Sequence, residues 1–450
     1  MFFENSGLRE AGRKQLFQMK TCGNAHDRPA LPLEQRLTQC PVKECRFAGS
    51  NQKLARRFAK RTRSPSKALS VGGEMARQLS GHFEQLDSLR GLAAISVVFS
   101  HFTTLDPGVL ALSHTPMRMF MGGREAVILF FVLSGFVLTP QFLTKSSGSY
   151  SIYLVKRITR IYFPYLFSLL VALSAYALCF GGEVDNAGEW FNTRWTTGLS
   201  GLDVVRHIIF ILPFDTGKLI PVIWSLVYEM RISIFLPVIA FAVSYWKTWR
   251  VLGVSLAISI AVAVMSSYHG VNVGISSVFG SWSMTAHYQL MFVVGASIAK
   301  NLPAICVWFE RDRMHRWLTG IGIVFFFISH NIAEWVSESL FFFVGDWATL
   351  AGATCILVCA ILSSRTAKAL CWPPFLFFGQ ISYSLYLYHC ITILAVVHGL
   401  ARYGLRTSLL ISAASIVPVA YFAWKYVERP SIAAGHAMAR MRAIRINPGA

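Results

Sequence analysis

The sequence predicts an all-α fold: a polytopic integral membrane protein with about ten transmembrane helices. Three observations carry that reading. Of the 450 residues, 54% are hydrophobic and only 14% charged, with a mean hydropathy of +0.48, which is more apolar surface than a soluble core can bury. Apolar runs of about 17–25 residues, the length an α-helix needs to cross hydrocarbon, recur along the chain, without the alternation of barrel strands. The formal charge of +20 sits largely ahead of the first run and in short connections between runs.

Taken in order, residues 1–82 are polar and basic, with 16 Lys and Arg against 6 acids over residues 1–80. The stretches PALPLEQR and RRFAKRTRSPSK offer no apolar run of secretory length, so this segment is no signal peptide and reads as a disordered cytoplasmic leader. Met75, opening MARQLSGHF, would also make an ordinary start, which leaves residues 1–74 dispensable on that alternative. Apolar helices are then expected at about 87–105, 125–143, 161–180, 222–244, 251–268, 285–300, 317–333, 347–363, 375–399 and 407–427, giving a transmembrane domain over 83–430 and a short basic cytoplasmic tail over 431–450. The piece VVRHIIFILPF, 204–214, is too short to cross and reads as re-entrant or interfacial.

Charge sets the orientation. The connections 144–160, 245–250, 301–316 and 364–373 carry Lys145, Lys156, Arg157, Arg160, Lys247, Arg250, Arg311, Arg313, Arg316, Arg365 and Lys368. The alternate connections hold Glu183, Asp185, Glu189, Glu334, Glu338 and Asp346, with Arg118, Arg124, Arg194, Arg402 and Arg406 as exceptions. Basic connections stay inside, which places both termini in the cytoplasm and the protein in the inner membrane, among membrane lipids. The basic balance therefore follows topology, and no nucleic-acid module accompanies it. Nine cysteines show no CxxC pair or ligand spacing, so no metal site is expected, and they read as small apolar fillers.

Polar residues inside the apolar runs are the candidates for chemistry. In LDSLRGLAAISVVFSHF, 86–102, Arg90 and His101 are eleven residues apart, so on a helix they share a face, differing by about 20° in direction and about 16 Å in height. Arg90 alone fits a snorkelling anchor equally well, whereas His101 lies deeper, where an ionisable group has to face protein or a watered cavity. In SIYLVKRITRIYFPYLF, 151–167, Arg157 and Arg160 at i, i+3 make a fork suited to phosphate, or an ordinary positive-inside anchor. Glu229 in PVIWSLVYEM enters an apolar run and needs a partner such as His101 or Arg231. In GQISYSLYLYHC, 379–390, Ser382, Tyr383, Tyr386 and His389 form a polar stripe that lines a cavity or belongs to an interfacial belt. Ser134 and Gly135 in FFVLSGFVL allow close approach of a second helix or a ligand. His207, His269, His287, His330, His398 and His436 have no evident companions. No nucleophile elbow or phosphate-binding Gly loop is present.

In order, LDSLRGLAAISVVFSHF, FFVLSGFVL, KRITRIYFPYLF, WSLVYEM, ISYSLYLYH and YVERP resemble the membrane-bound acyltransferase 3 family over residues 84–430, whose bacterial members modify surface polysaccharides. The resemblance implies that His101 is essential for acyl transfer, Arg90 its companion, Arg157 and Arg160 the contact to an acyl-CoA donor, acetyl-CoA being the commonest, and Glu229 the acid of the tryptophan-serine-leucine motif. VYEMRIS departs from the usual pattern there, with Arg231 as a new charge. The expected function is transfer of an acyl group to a hydroxyl of an exported or lipid-linked glycan, with His101 as base or transient acyl carrier. A transporter or flippase of glycan or lipid intermediates is the alternative, and a non-catalytic membrane scaffold a third.

Overall fold

In hydrocarbon every peptide N–H and C=O has to find its partner within the protein, and this chain meets that demand with helices. The computed structural model describes residues 83–110, 115, 118, 120–143, 149–269, 278–311, 313–333 and 338–446. The leader over 1–82, with Cys22, Cys40, Cys45 and Met75, lies outside the described residues, as do Lys145 and Glu334. Twelve helices of nine residues or more are found among the described residues: α1 Glu84–Thr103, α2 Gly123–Leu138, α3 Tyr150–Cys179, α4 Gly201–Ile209, α5 Trp224–Tyr245, α6 Thr248–His269, α7 Val278–Arg311, α8 Arg313–Ala333, α9 Glu338–Leu362, α10 Pro373–Gly399, α11 Leu405–Ala423 and α12 Arg429–Ile446.

All ten expected apolar helices are there, and among the described residues eight spans are long and apolar enough to cross a bilayer. The two that fall short of that measure are α1, which carries Asp87, Arg90 and His101, and α8, whose apolar part covers only Thr319–Ser329. A displacement that moves candidate residues is in α3. It starts at Tyr150 rather than 161, so Arg157 and Arg160 lie inside a helix and not in a connection. Its basic first turns are covered by α12, where Ser431 donates to the Thr159 carbonyl and Arg442 Nε donates to Ser151 Oγ at 2.9 Å. The segment read as a basic tail is therefore helical over 431–446.

Two close helix crossings organise the bundle. A Cβ added to Gly91 of α1 would lie 2.6 Å from the Phe378 carbonyl carbon, and one on Gly379 of α10 would lie 2.6 Å from that of Asp87. Likewise a Cβ on Gly135 of α2 would lie 2.8 Å from Phe292 Cα, and one on Gly295 of α7 would lie 2.7 Å from Phe136 N. Small residues let backbones meet where no hydrophobic drive favours one helix over lipid.

The piece around 204–214 is part short helix and part irregular chain packed on the bundle. Capped by Ser200 and Asp203, α4 runs to Ile209, and the chain reverses at Phe210 with φ 54°. It lies against the middle of α3: Tyr162 donates to the Ile208 carbonyl at 2.6 Å and Tyr165 to that of His207 at 3.0 Å. Arg231 Nε donates to the Ile211 carbonyl at 2.7 Å and Trp195 Nε1 to that of Leu219 at 3.1 Å. These side chains satisfy carbonyls that an interrupted helix leaves open.

Gly135→Val should lower the melting temperature of detergent-solubilised protein, by an amount corresponding to about 1–3 kcal/mol of overpacking. Gly253→Val, where an added Cβ meets nothing within 4 Å, should leave it within error of the parent. Tryptophan-fluorescence melts read both.

Candidate active site in two chambers

Where α1, α2, α3, α5, α10 and the turn before α12 converge they enclose a cavity of about 480 Å³. Eight of the ten singled-out residues line it: Arg90, Ser134, Arg157, Arg160, Glu229, Ser382, Tyr383 and Tyr386. Glu229 is the centre of its bonding, accepting at Oε1 from Ser134 Oγ at 2.9 Å and from Arg157 Nη2. Arg157 also donates from Nε to Ser233 Oγ at 3.1 Å. The partner of this half-buried carboxylate is thus Arg157, and neither His101 nor Arg231 fills that role. Arg231 turns away to the Ser281 and Thr285 side chains of α7, at 2.8 and 3.0 Å.

The other cations of the cavity are placed differently. Arg90 donates to Asp87 Oδ1 at 2.8 Å on its own helix, while Arg160 is exposed and makes no ion pair among the described residues. Arg90, Lys156, Arg157 and Arg160 line the cavity against Asp87, Glu229 and Glu428, and with Arg90 and Arg157 paired to acids the excess positive charge for an anionic ligand comes from Arg160 and Lys156. The stripe on α10 is largely spoken for: Ser382 donates to the Gly379 carbonyl at 2.8 Å, Tyr383 to that of Ile161 at 2.7 Å and Tyr386 to that of Val222 at 2.8 Å. Tyr386 also shares a 2.6 Å bond with Ser225 Oγ.

His101 and His389 are not in this cavity. His101 lines a second chamber of about 360 Å³, beside Trp190, Arg118 and Arg124, at the far end of α1. Its ring meets Trp190 edge-on at 5.0 Å and His389 at 5.1 Å, and His389 in turn lies 6.0 Å from the Tyr386 ring. A chain of three rings therefore joins the two chambers: Tyr386 in the wall of the first, His101 in the wall of the second, His389 between. His101, His389 and Cys390 bring one possible metal-ligand atom each within 4.8 Å of one another.

Several residues here were not singled out from the sequence. Glu428, 4% exposed, lines the first chamber from a π turn over Trp424–Glu428 and accepts from Ser384 Oγ at 2.6 Å. The YVERP stretch held this signal, an acid closing an apolar run. Trp190 sits in a single helical turn, Glu189–Asn192, too short for a periodicity to mark it. Asp346, taken from sequence as a connection charge, lies inside α9 at 1% exposure and binds Arg124 through both oxygens at 2.6 and 2.8 Å. His287, for which the sequence showed no companion, contacts Asp346 at 3.1 Å and Ser259 at 2.8 Å. That buried group accounts for Arg124 as an exception to the charge bias.

Residues 83–425 match the family model described as an acyltransferase domain. Nodulation protein 10 of Rhizobium leguminosarum bv. viciae is 24% identical over 374 residues, covering 78% of this chain and 94% of that protein. The O-acetyltransferase OatA of Staphylococcus aureus is 24% identical over 327 residues, covering 68% of this chain and 49% of its own length, so the chain spans about half of that relative. No solved structure matches.

Glu229→Leu should strip Arg157 of its carboxylate and destabilise the protein by about 3–5 kcal/mol, whereas adding Arg157→Met to it should recover most of the loss. Melts of the two single variants and the double variant measure the coupling; additive losses would show that the pair contributes nothing jointly.

Proposed function

The chain belongs to the acyltransferase 3 family, and from that membership we propose that it moves an acyl group, acetyl in the first instance, from cytoplasmic acyl-CoA to a hydroxyl of an exported or lipid-linked glycan. It is a membrane acyltransferase; donor, acceptor and residue roles are the substance of the proposal. The observation that carries it is the pair of chambers at different depths of one helix, the first lined by Arg90, Arg157 and Arg160 and the second by His101.

The first chamber suits the donor. Arg160, exposed and without an ion pair among the described residues, receives the donor's phosphates together with Arg157, and the basic connections around it fit the cytoplasmic side. Arg90 lines the same chamber and adds to the positive charge that meets the donor's anionic groups. The second chamber suits the acceptor, with Trp190 an apolar face for a sugar ring. His101 Nδ1 is held by the Val97 carbonyl at 2.8 Å, which fixes the tautomer with a free Nε2 to act as base on the acceptor hydroxyl. A relative named as an O-acetyltransferase supports transfer of an acyl group to oxygen.

His101→Ala should abolish transfer of radiolabelled acetyl groups from acetyl-CoA to the glycan fraction of native membranes while the variant accumulates in the membrane at parental levels. Retained transfer would remove His101 from the chemistry. Arg160→Ala should raise KM for acetyl-CoA about tenfold, the worth of one charge-assisted hydrogen bond, with kcat within twofold; an unchanged KM would count against the phosphate role.

A further inference from the structure

We propose that His389 is a second proton-carrying group of the transfer reaction: its Nε2 takes the proton that His101 removes from the acceptor hydroxyl and returns it to the departing thiolate. This rests on the acyl-transfer reading above and adds a residue and a proton route to it.

The two imidazoles are set up alike. His101 Nδ1 lies 2.8 Å from the Val97 carbonyl and His389 Nδ1 lies 3.0 Å from that of Leu385, in each case four residues back on the same helix. A carbonyl can only accept, so each Nδ1 carries the hydrogen and each Nε2 is left with a lone pair. His389 is 1% exposed and its Nε2 has no hydrogen-bond partner. A buried acceptor left open costs about 1–3 kcal/mol. One nitrogen of each ring lies within 4.8 Å of one nitrogen of the other, and one hydroxyl or a bridging water closes a gap of that size.

Their placement explains why one imidazole does not suffice. The hydroxyl meets His101 in the outer chamber, but the thiolate leaves in the inner one, which His101 does not line. His389 stands between, one turn beyond Tyr386 of the inner wall, ring centres 6.0 Å apart. The acceptor O–H bond breaks as Nε2–H forms on His101, and the oxygen bonds to the acyl carbon. That proton passes to His389 Nε2. The C–S bond breaks, the proton leaves His389 for the sulfur, and both rings end neutral.

The test uses native membranes expressing full-length variants in a strain lacking the gene, with radiolabelled acetyl-CoA and the acceptor those membranes contain. His389→Gln should cut kcat by about 10²–10³-fold, within the range for a proton-transfer group, with KM for acetyl-CoA within twofold. His389→Gly should recover activity on addition of free imidazole, a response that a packing defect would not give. A His389→Gln enzyme within threefold of parental kcat overturns the relay, as does His389→Gly that stays folded yet ignores imidazole. Stoichiometric zinc in purified parental protein, lost in His389→Gln, would also overturn it and make the pair with Cys390 a metal site. Absence of acetyl transfer by the parental enzyme would instead sink the acyl-transfer reading itself.

Discussion

The contact between Gly91 and Gly379 is the constraint on which the two chambers depend. α1 and α10 run in the same direction, and a missing side chain on each lets their backbones touch. His101 follows Gly91 by ten residues and His389 follows Gly379 by ten. Equal steps on two parallel helices give equal rise, about 15 Å, and equal rotation, so the register set at one glycine pair is delivered to the other end as a meeting of two imidazoles. Arg90, next to Gly91, takes its place in the inner chamber for the same reason.

A second constraint comes from α5, whose first turn lies deep in the bundle, beside Tyr386. A helix that starts there has to be reached by non-helical chain, and residues 210–223 make that descent with their carbonyls met by Tyr386, Trp195 and Arg231. Arg231 is thus a buried cation balanced by carbonyls and hydroxyls, and its value is geometric: it ties the descending chain to α7. The same depth brings Glu229 level with Arg157. Each of these charges is held by hydrogen bonds inside the protein, with Nη2 of Arg231 alone among their groups left buried without a partner.

Periodicity and hydropathy revealed the helices, because a bilayer imposes one length and one polarity on whatever crosses it. Boundaries at the basic end were hidden: α3 and α12 cover each other with polar residues that read as connection and tail. Eight of the ten candidate residues line one cavity, since a polar group in an apolar helix has few places to point. Partnerships were less legible. Glu229 lies two residues from Arg231 in sequence but bonds to an arginine 72 residues away, and Asp346 with His287 depends on three helices meeting. His101 and His389 were each visible; that they touch, outside the cavity of the other eight, follows from the glycine register and from nothing local.

The π turn over Trp424–Glu428 holds one residue more than an α-helix would use there. Deleting a residue from it would restore regular winding and turn everything downstream by about 100°. Ile432 and His436, now in the cavity wall, would swing away from it, and the cover over the first turns of α3 would go with them. Chain length at this one point is therefore as restricted as the identity of any side chain nearby. An insertion or loss that most surface segments absorb without consequence would here act on the shape of the inner chamber from the far end of the sequence.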